Sequence, residues 1–450
     1  EVTGSCHILH VAGRKVLLDC GMIQGGKKQE KRNSDPFPFS SGDIDAVILS
    51  HAHLDHAGRL PLLIRRGYKG PIYVQNASKD LSDVLLRDSA SLAERDAENR
   101  NRRRERAGKK PVKPLYVESD ARQVSALMKP LPYRQSVEVL PGVELTFHDA
   151  GHILGSCIVD LKLREGELSR RLVFSGDLGQ YDTPVINDPE SIDQADLVLM
   201  ESTYGGRSHK DREDTVRELG DIIRSSENGN IIIPAFAVGR SQELLYLFGK
   251  HFKEWELQRF RIFLDSPMAI KASHIYWDYP NLYDEEATKL RRKNKEMPLL
   301  PNLHLCESAK ESRAINRKRS GAIIIAGSGM CNGGRVLHHL KHNLWRKETH
   351  VLMVGYQGKG SLGRRLVDGH KYVKIHGQSV RNRATVHTVG GLSAHGDEHD
   401  LLRWYSGFSN KPAVCLVHGS EHSREKLKSG LEQAGASVTL PLPGTTVDLH

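Results

Sequence analysis

Short apolar runs rich in β-branched residues recur through the first two hundred positions of this 450-residue chain. They predict strands at 5–11, 15–19, 46–49, 72–74, 137–139, 143–148, 157–163, 171–174 and 197–200. Helical composition covers 60–66, 118–128 and the long stretch 77–107, where Leu81, Val84, Leu85 and Leu92 fall on one side. The polar, Pro-containing stretch 25–39 reads as loop. Strands with helices between only some of them predict an α/β sandwich rather than a doubly wound sheet. From Asp211 the texture changes. Helical runs at 214–225, 241–254 and 309–315 alternate with apolar strands at 231–234, 262–264 and 322–326, the rhythm of a parallel sheet. That rhythm continues through 335–345, 351–354 and the turn-rich 355–363, and short strands return at 384–389, 413–417 and 438–440.

Composition narrows the class. The chain carries 65 Lys and Arg against 55 Asp and Glu, a formal charge of +10 and a pI near 9.2, which favours a polyanionic partner such as nucleic acid. Most of the excess is at 99–110, which reads as either a solvated helix end or an RNA-contacting patch. Cys6, Cys20, Cys157, Cys306, Cys331 and Cys415 form no CxxC pair and suggest no disulfide framework, so a reducing cytoplasm is expected. No apolar run reaches the roughly 18 residues of a membrane span, and no signal peptide is visible. The chain opens at Glu1 without Met, which suggests a missing N-terminal segment.

The densest chemistry lies at 44–58, IDAVILSHAHLDHAG. An apolar strand stops at Ser50 and is followed by His51, His53, Asp55 and His56. Alternate side chains of an extended segment point the same way, so His51 and His53 converge on one ion while Asp55 and His56 aim at a neighbouring one. That pattern suits a two-metal hydrolytic centre better than a polar loop. Three further ligand types sit beside glycine after apolar runs: His152, Asp177 and His418.

Taken together these segments resemble the metallo-β-lactamase superfamily. By that resemblance His51, His53, His152 and Asp177 hold one zinc, and Asp55, His56, Asp177 and His418 hold the other. Asp19, in Leu-Leu-Asp-Cys-Gly, matches the motif whose carboxylate orients the ligand histidines. Glu201 in Met-Glu-Ser-Thr-Tyr-Gly, His395 in Gly-Leu-Ser-Ala-His-Gly-Asp and His418 resemble motifs A, B and C of the β-CASP nucleases. Further likeness lies in 234–244, 265–269, 327–335 and 355–364. Its nearest flavour is the prokaryotic homologues of the endonuclease subunit of the pre-mRNA 3′-end cleavage factor.

The resemblance implies a metallo-β-lactamase αββα sandwich at 1–205 and 383–450, with a parallel α/β β-CASP domain inserted at 206–382. It implies a ribonuclease with two Zn²⁺, hydrolysing RNA by a hydroxide bridging both ions in the cleft between the domains, in endo or 5′-exo mode. Asp55 steers the hydroxide, and His395, oriented by Glu201, protonates the leaving oxygen. Ser328, Gly329, Gly333 and Arg335 are expected to contact substrate. A homodimer is left open. The competing readings are an ester or lactone hydrolase on the same fold and a non-catalytic RNA-binding subunit.

Overall fold

Along the strand Arg14–Leu18, Leu17 points to one side and Val16 and Leu18 to the other, and in Ala46–Ile48 Val47 and Ile48 divide in the same way. This two-residue period sorts the apolar residues into separate layers. In the computed structural model, which describes residues 3–226, 228–293 and 300–449, the layers form two compact units. Unit 1 takes the chain up to Thr183, then Asn187–Ser208 and everything from His395; unit 2 takes Pro184–Ile186 and His209–Ala394.

Unit 1 holds a five-stranded and a seven-stranded sheet. Val16, Leu18 and Ile48 of the first meet Leu145, Phe147, Val159, Leu161, Leu172 and Phe174 of the second in a core between the sheets. The opposite face of the first sheet packs Leu17, Val47 and Leu49 against Leu60, Leu63, Ala121 and Val124 from helices. The outer face of the second packs Val173, Val198 and Leu416 against Leu401, Trp404, Leu427 and Leu431. Helix, sheet, sheet, helix: this is the αββα sandwich. Each large side chain in these layers contributes about 1.5–3 kcal/mol by leaving water.

Unit 2 is built on a six-stranded parallel sheet in the order Leu303–Leu305, Arg261–Leu264, Ala322–Ala326, Ile231–Pro234, His350–Met353, Thr385–Thr388. Its central strands are covered on both faces, which is why Ile231–Pro234 and Ala322–Ala326 are unbroken apolar runs instead of alternating ones. Unit 2 continues through Ala394 because Thr385–Thr388 pairs with His350–Met353; the expected return to the first domain was at 383.

Several elements were not anticipated. The chain leaves its helix at Leu127, and Met128–Leu131 pairs as a strand with Ile72–Gln75. Tyr372–Ile375 and Gln378–Arg381 form a hairpin that turns at His376 and Gly377, both left-handed as a two-residue turn requires. Helices Glu398–Tyr405 and Glu421–Gln433 start at Asp397 and Ser420, whose side chains cap them. No helix among the described residues is long and apolar enough to cross a membrane.

Candidate metal centre

Five loops carry the chemistry, and each leaves the carboxyl end of a strand of unit 1. His51 to His56 follow Ala46–Ile48, His152 follows Val143–Asp149, and Asp177 follows Leu168–Phe174. Glu201 follows Leu197–Met200, and His418 follows Ala413–Leu416. In the second sheet the last three of these strands are parallel neighbours, and Val143–Asp149 runs the same way, so their ends open at one edge. The Cys157 N–H donates to Ser50 O at 2.8 Å and ties the first sheet to that edge. Loop backbones pack against each other there: a Cβ on Gly179 would stand 1.7 Å from Gly151 O, so glycine is required beside the His152 loop.

The side chains form two groups. His53 Nδ1 lies 3.1 Å from both His51 Nε2 and His152 Nε2, and Asp177 Oδ2 lies 3.4 Å from His51 Nε2 and 3.6 Å from His152 Nε2. On the other side His418 Nε2 is 3.2 Å from His56 Nε2 and 3.6 Å from Asp55 Oδ2. Asp177 Oδ1 turns toward this second group, 3.2 Å from His56 Nε2. In each group the ligand atoms lie within 4.8 Å of one another.

These contacts fit cations better than hydrogen bonds. Two ligands about 2.05 Å from a tetrahedral zinc stand about 3.3 Å apart, close to the nitrogen separations here. Asp177 Oδ1 is buried and accepts no hydrogen bond, an arrangement that costs about 1–3 kcal/mol unless something else satisfies it. Burial, aided by His56, holds the His51 pKa well below the usual histidine range, and burial outweighs Asp55 and Asp177 to lower that of His53, which favours the neutral rings that ligands must be. Burial opposes charge on Asp177, but His56, His418, His395 and His51 outweigh it and keep the carboxylate ionised.

A shell of acceptors fixes the rings. Asp19 is fully buried and left-handed; its Oδ2 takes the His56 Nδ1 proton at 2.6 Å, which turns Nε2 toward the centre. Its other bonds come from the Ser50 N–H at 2.8 Å and the Ser5 and Ser50 hydroxyls, each at 3.0 Å. Ser50 Oγ also meets His51 Nδ1 at 3.1 Å, and Thr203 Oγ1 meets His418 Nδ1 at 3.2 Å. Neither hydroxyl was anticipated. The available signal was position alone, since each stands at a strand end beside a ligand or Glu201.

His395 belongs to unit 1, with its Nδ1 3.2 Å from Glu201 Oε1 and 3.9 Å from Asp177 Oδ2. Glu201 is fully buried and also accepts the Leu178 and Thr203 N–H groups, so its carboxylate is locked. Burial lowers the His395 pKa, but Glu201 and Asp177 together raise it to about 9. Ser328, Gly329, Gly333 and Arg335 lie in unit 2. Ser328 Oγ accepts the Asn332 and Gly333 N–H groups, and Gly329 O accepts from Gln357. The Arg335 guanidinium is bound to Asp265 Oδ1, Cys306 O and Glu307 O, so it fastens its own loop.

Family models match three parts of the chain. The metallo-beta-lactamase superfamily matches 1–219, the Beta-Casp domain 241–366, and the Zn-dependent metallo-hydrolase RNA specificity domain 379–441. Ribonuclease TTHA0252 of Thermus thermophilus is 40% identical over 98% of this chain and 96% of its own length. The chain belongs to the β-CASP family of the metallo-β-lactamase superfamily. Transcription termination factors FttA are more distant members: that of Methanocaldococcus jannaschii is 30% identical over 94% of this chain and 66% of its own length. That of Thermococcus kodakarensis is 30% identical over 98% and 68%. The chain thus spans about two thirds of the FttA proteins. Membership in this β-CASP group makes it a metal-dependent hydrolase.

Proposed function

We propose that this chain is a zinc-dependent ribonuclease that hydrolyses phosphodiester bonds at a two-ion centre. His51, His53, His152 and Asp177 would hold one ion; Asp55, His56, Asp177 and His418 would hold the other. The observation that carries this reading is Asp177, a buried carboxylate whose two oxygens face two separate groups of imidazoles. Two zinc ions held there supply an activated water at neutral pH and positive charge against the charge building on the phosphoryl oxygens.

The remaining steps belong to the protein. Asp55 is an acceptor at the second group and orients the attacking water by a hydrogen bond. His395 gives its Nδ1 proton to Glu201 as a hydrogen bond, which leaves Nε2 to protonate the departing ribose oxygen. The glycine-rich loop brings Gly329 and Gly333 to the substrate backbone, while Ser328 and Arg335 keep its shape. RNA as substrate is supported by the relatives, whose names are ribonuclease and transcription termination factor.

Metal-loaded protein should cleave labelled RNA, lose that activity in chelator and regain it with zinc. Turnover of an ester or lactone with RNA and single-stranded DNA left intact would replace the reading with a small-molecule hydrolase. Cleavage of a circular RNA decides for endonucleolytic action.

A further inference from the structure

The longest helix of unit 1, Asn76–Arg106, begins beside the metal centre and ends far from it. Ser78 Oγ donates to Gly155 O at 2.7 Å, in the loop that carries His152. From there 31 residues at about 1.5 Å each carry the chain about 45 Å away. At the far end stand Arg100, Arg102, Arg103, Arg104, Arg106, Lys109, Lys110 and Lys113, with Glu105 the one acid among 99–113. This tip accounts for most of the chain's formal charge of +10. All eight cations are exposed except Arg104, which is half-buried, and among the described residues none forms an ion pair.

The needs of a helix end do not account for this many cations. Complementing the helix dipole takes one or two in the last turn, and like charges three or four residues apart repel one another. The tip is also built rather than frayed. Asn101 clamps Val112 through two bonds of 2.9 and 2.7 Å, Arg104 Nε donates to Lys110 O at 2.6 Å, and the Lys109 N–H donates to Arg104 O at 2.8 Å. Helix and returning loop flank an open, shallow pocket of about 490 Å³ lined by Glu98, Asn101, Arg102, Glu105, Lys109 and Pro111. Its cations suit phosphates, and its two carboxylates suit ribose hydroxyls, which a plain anionic surface lacks.

We propose that this tip is a second RNA-binding site, remote from the metal centre, that grips the phosphate backbone without regard to sequence. The proposal rests on RNA being the substrate. It predicts a length dependence, because a strand must cover about 45 Å to use both sites, about thirteen nucleotides at the 3.4 Å spacing of a stacked strand and fewer when extended.

The test uses the full chain with Arg102, Arg103, Arg106 and Lys110 all changed to Gln. The control changes Lys253, Lys271, Lys310 and Lys374 to Gln, four exposed cations of unit 2 that carry the same total charge. For a 30-nucleotide RNA the tip variant should raise KM about tenfold or more with kcat unchanged, and a six-nucleotide RNA should not respond. In chelator, the slope of log K against log salt for the 30-nucleotide RNA should fall by about 3, at about 0.7 per phosphate contact. A tip variant that matches the control, or that slows the short RNA equally, overturns the proposal. Should the wild type cleave neither RNA, the ribonuclease reading fails, and binding of the uncleaved 30-nucleotide RNA in chelator still tests the tip by itself.

Discussion

The buried clusters around Asp265 and Asp177 both combine aspartate with histidine, but the protein alone satisfies the first and not the second. In unit 2, Asp265 Oδ1 accepts from Arg335 at 2.6 Å, and Oδ2 accepts from Ser312 Oγ at 2.6 Å and His339 Nε2 at 2.5 Å. These bonds outweigh burial and hold the Asp265 pKa below the usual carboxylate range. Around Asp177 the same residue types crowd nitrogen against nitrogen, and Oδ1 has no hydrogen bond. The complete cluster serves as scaffold, whereas the Asp177 cluster combines an unpartnered buried oxygen with crowded ring nitrogens, the donor set of a cation site. Residue type does not separate the two clusters. Satisfaction does.

Substitutions at the two aspartates should therefore fail in different ways. Asp177→Asn should cut RNA cleavage by on the order of 10³-fold with the melting temperature nearly unchanged, because an amide cannot serve both ions as the carboxylate does. Asp265→Ala should do the reverse. Leaving Arg335 and His339 without their acceptor should cost about 3 kcal/mol in denaturant unfolding, with metal content retained by the folded fraction. Wild-type stability in that variant would remove the contrast between the clusters.

His395→Ala sharpens the boundary of the first cluster. Both ions should remain and cleavage should slow by about 10²-fold, as expected for a lost proton donor. Loss of metal on elemental analysis would make His395 a ligand instead.

A third group sets His148 between Asp160 and Glu190, which Arg171 and Arg134 respectively also pair. Burial lowers the His148 pKa, but the hydrogen bonds to Asp160 and Glu190 raise it to about 9. Because the folded state favours the protonated ring, its stabilisation is complete below pH 6.5 and fades as the pH climbs through 9. After solvent screening this should amount to about 1 kcal/mol. His148→Gln should flatten that part of the pH–stability curve, and an unchanged curve would remove His148 as its source.

Much of this arrangement was legible in the residues alone, for physical reasons. His-x-His-x-Asp-His after a strand is too dense in ligand types for an ordinary loop, and the strand ends before His152, Asp177 and His418 are marked by apolar runs. An α/β sandwich was legible because buried strands are apolar and β-branched, and the family resemblance supplied its αββα order. The hydroxyls of Ser5, Ser50 and Thr203 were not, because serine and threonine occur at strand ends for many local reasons. The anchoring of Arg335 was not legible either, because its internal partners Asp265, Cys306 and Glu307 are far away in sequence. The hairpin at Tyr372–Arg381 was hidden because Lys374, Gln378, Ser379 and Arg381 face solvent and dilute its apolar alternation.

On the proposed reading, Asp177 joins two ion sites while Asp265 joins none. Elemental analysis of the purified full chain, equilibrated with zinc and freed of excess, measures it directly for the wild type, His418→Ala and folded Asp265→Ala. Two zinc ions per chain, one and two, respectively, are the predicted result. A wild type that holds a single ion, or an Asp265 variant that loses one, would contradict it.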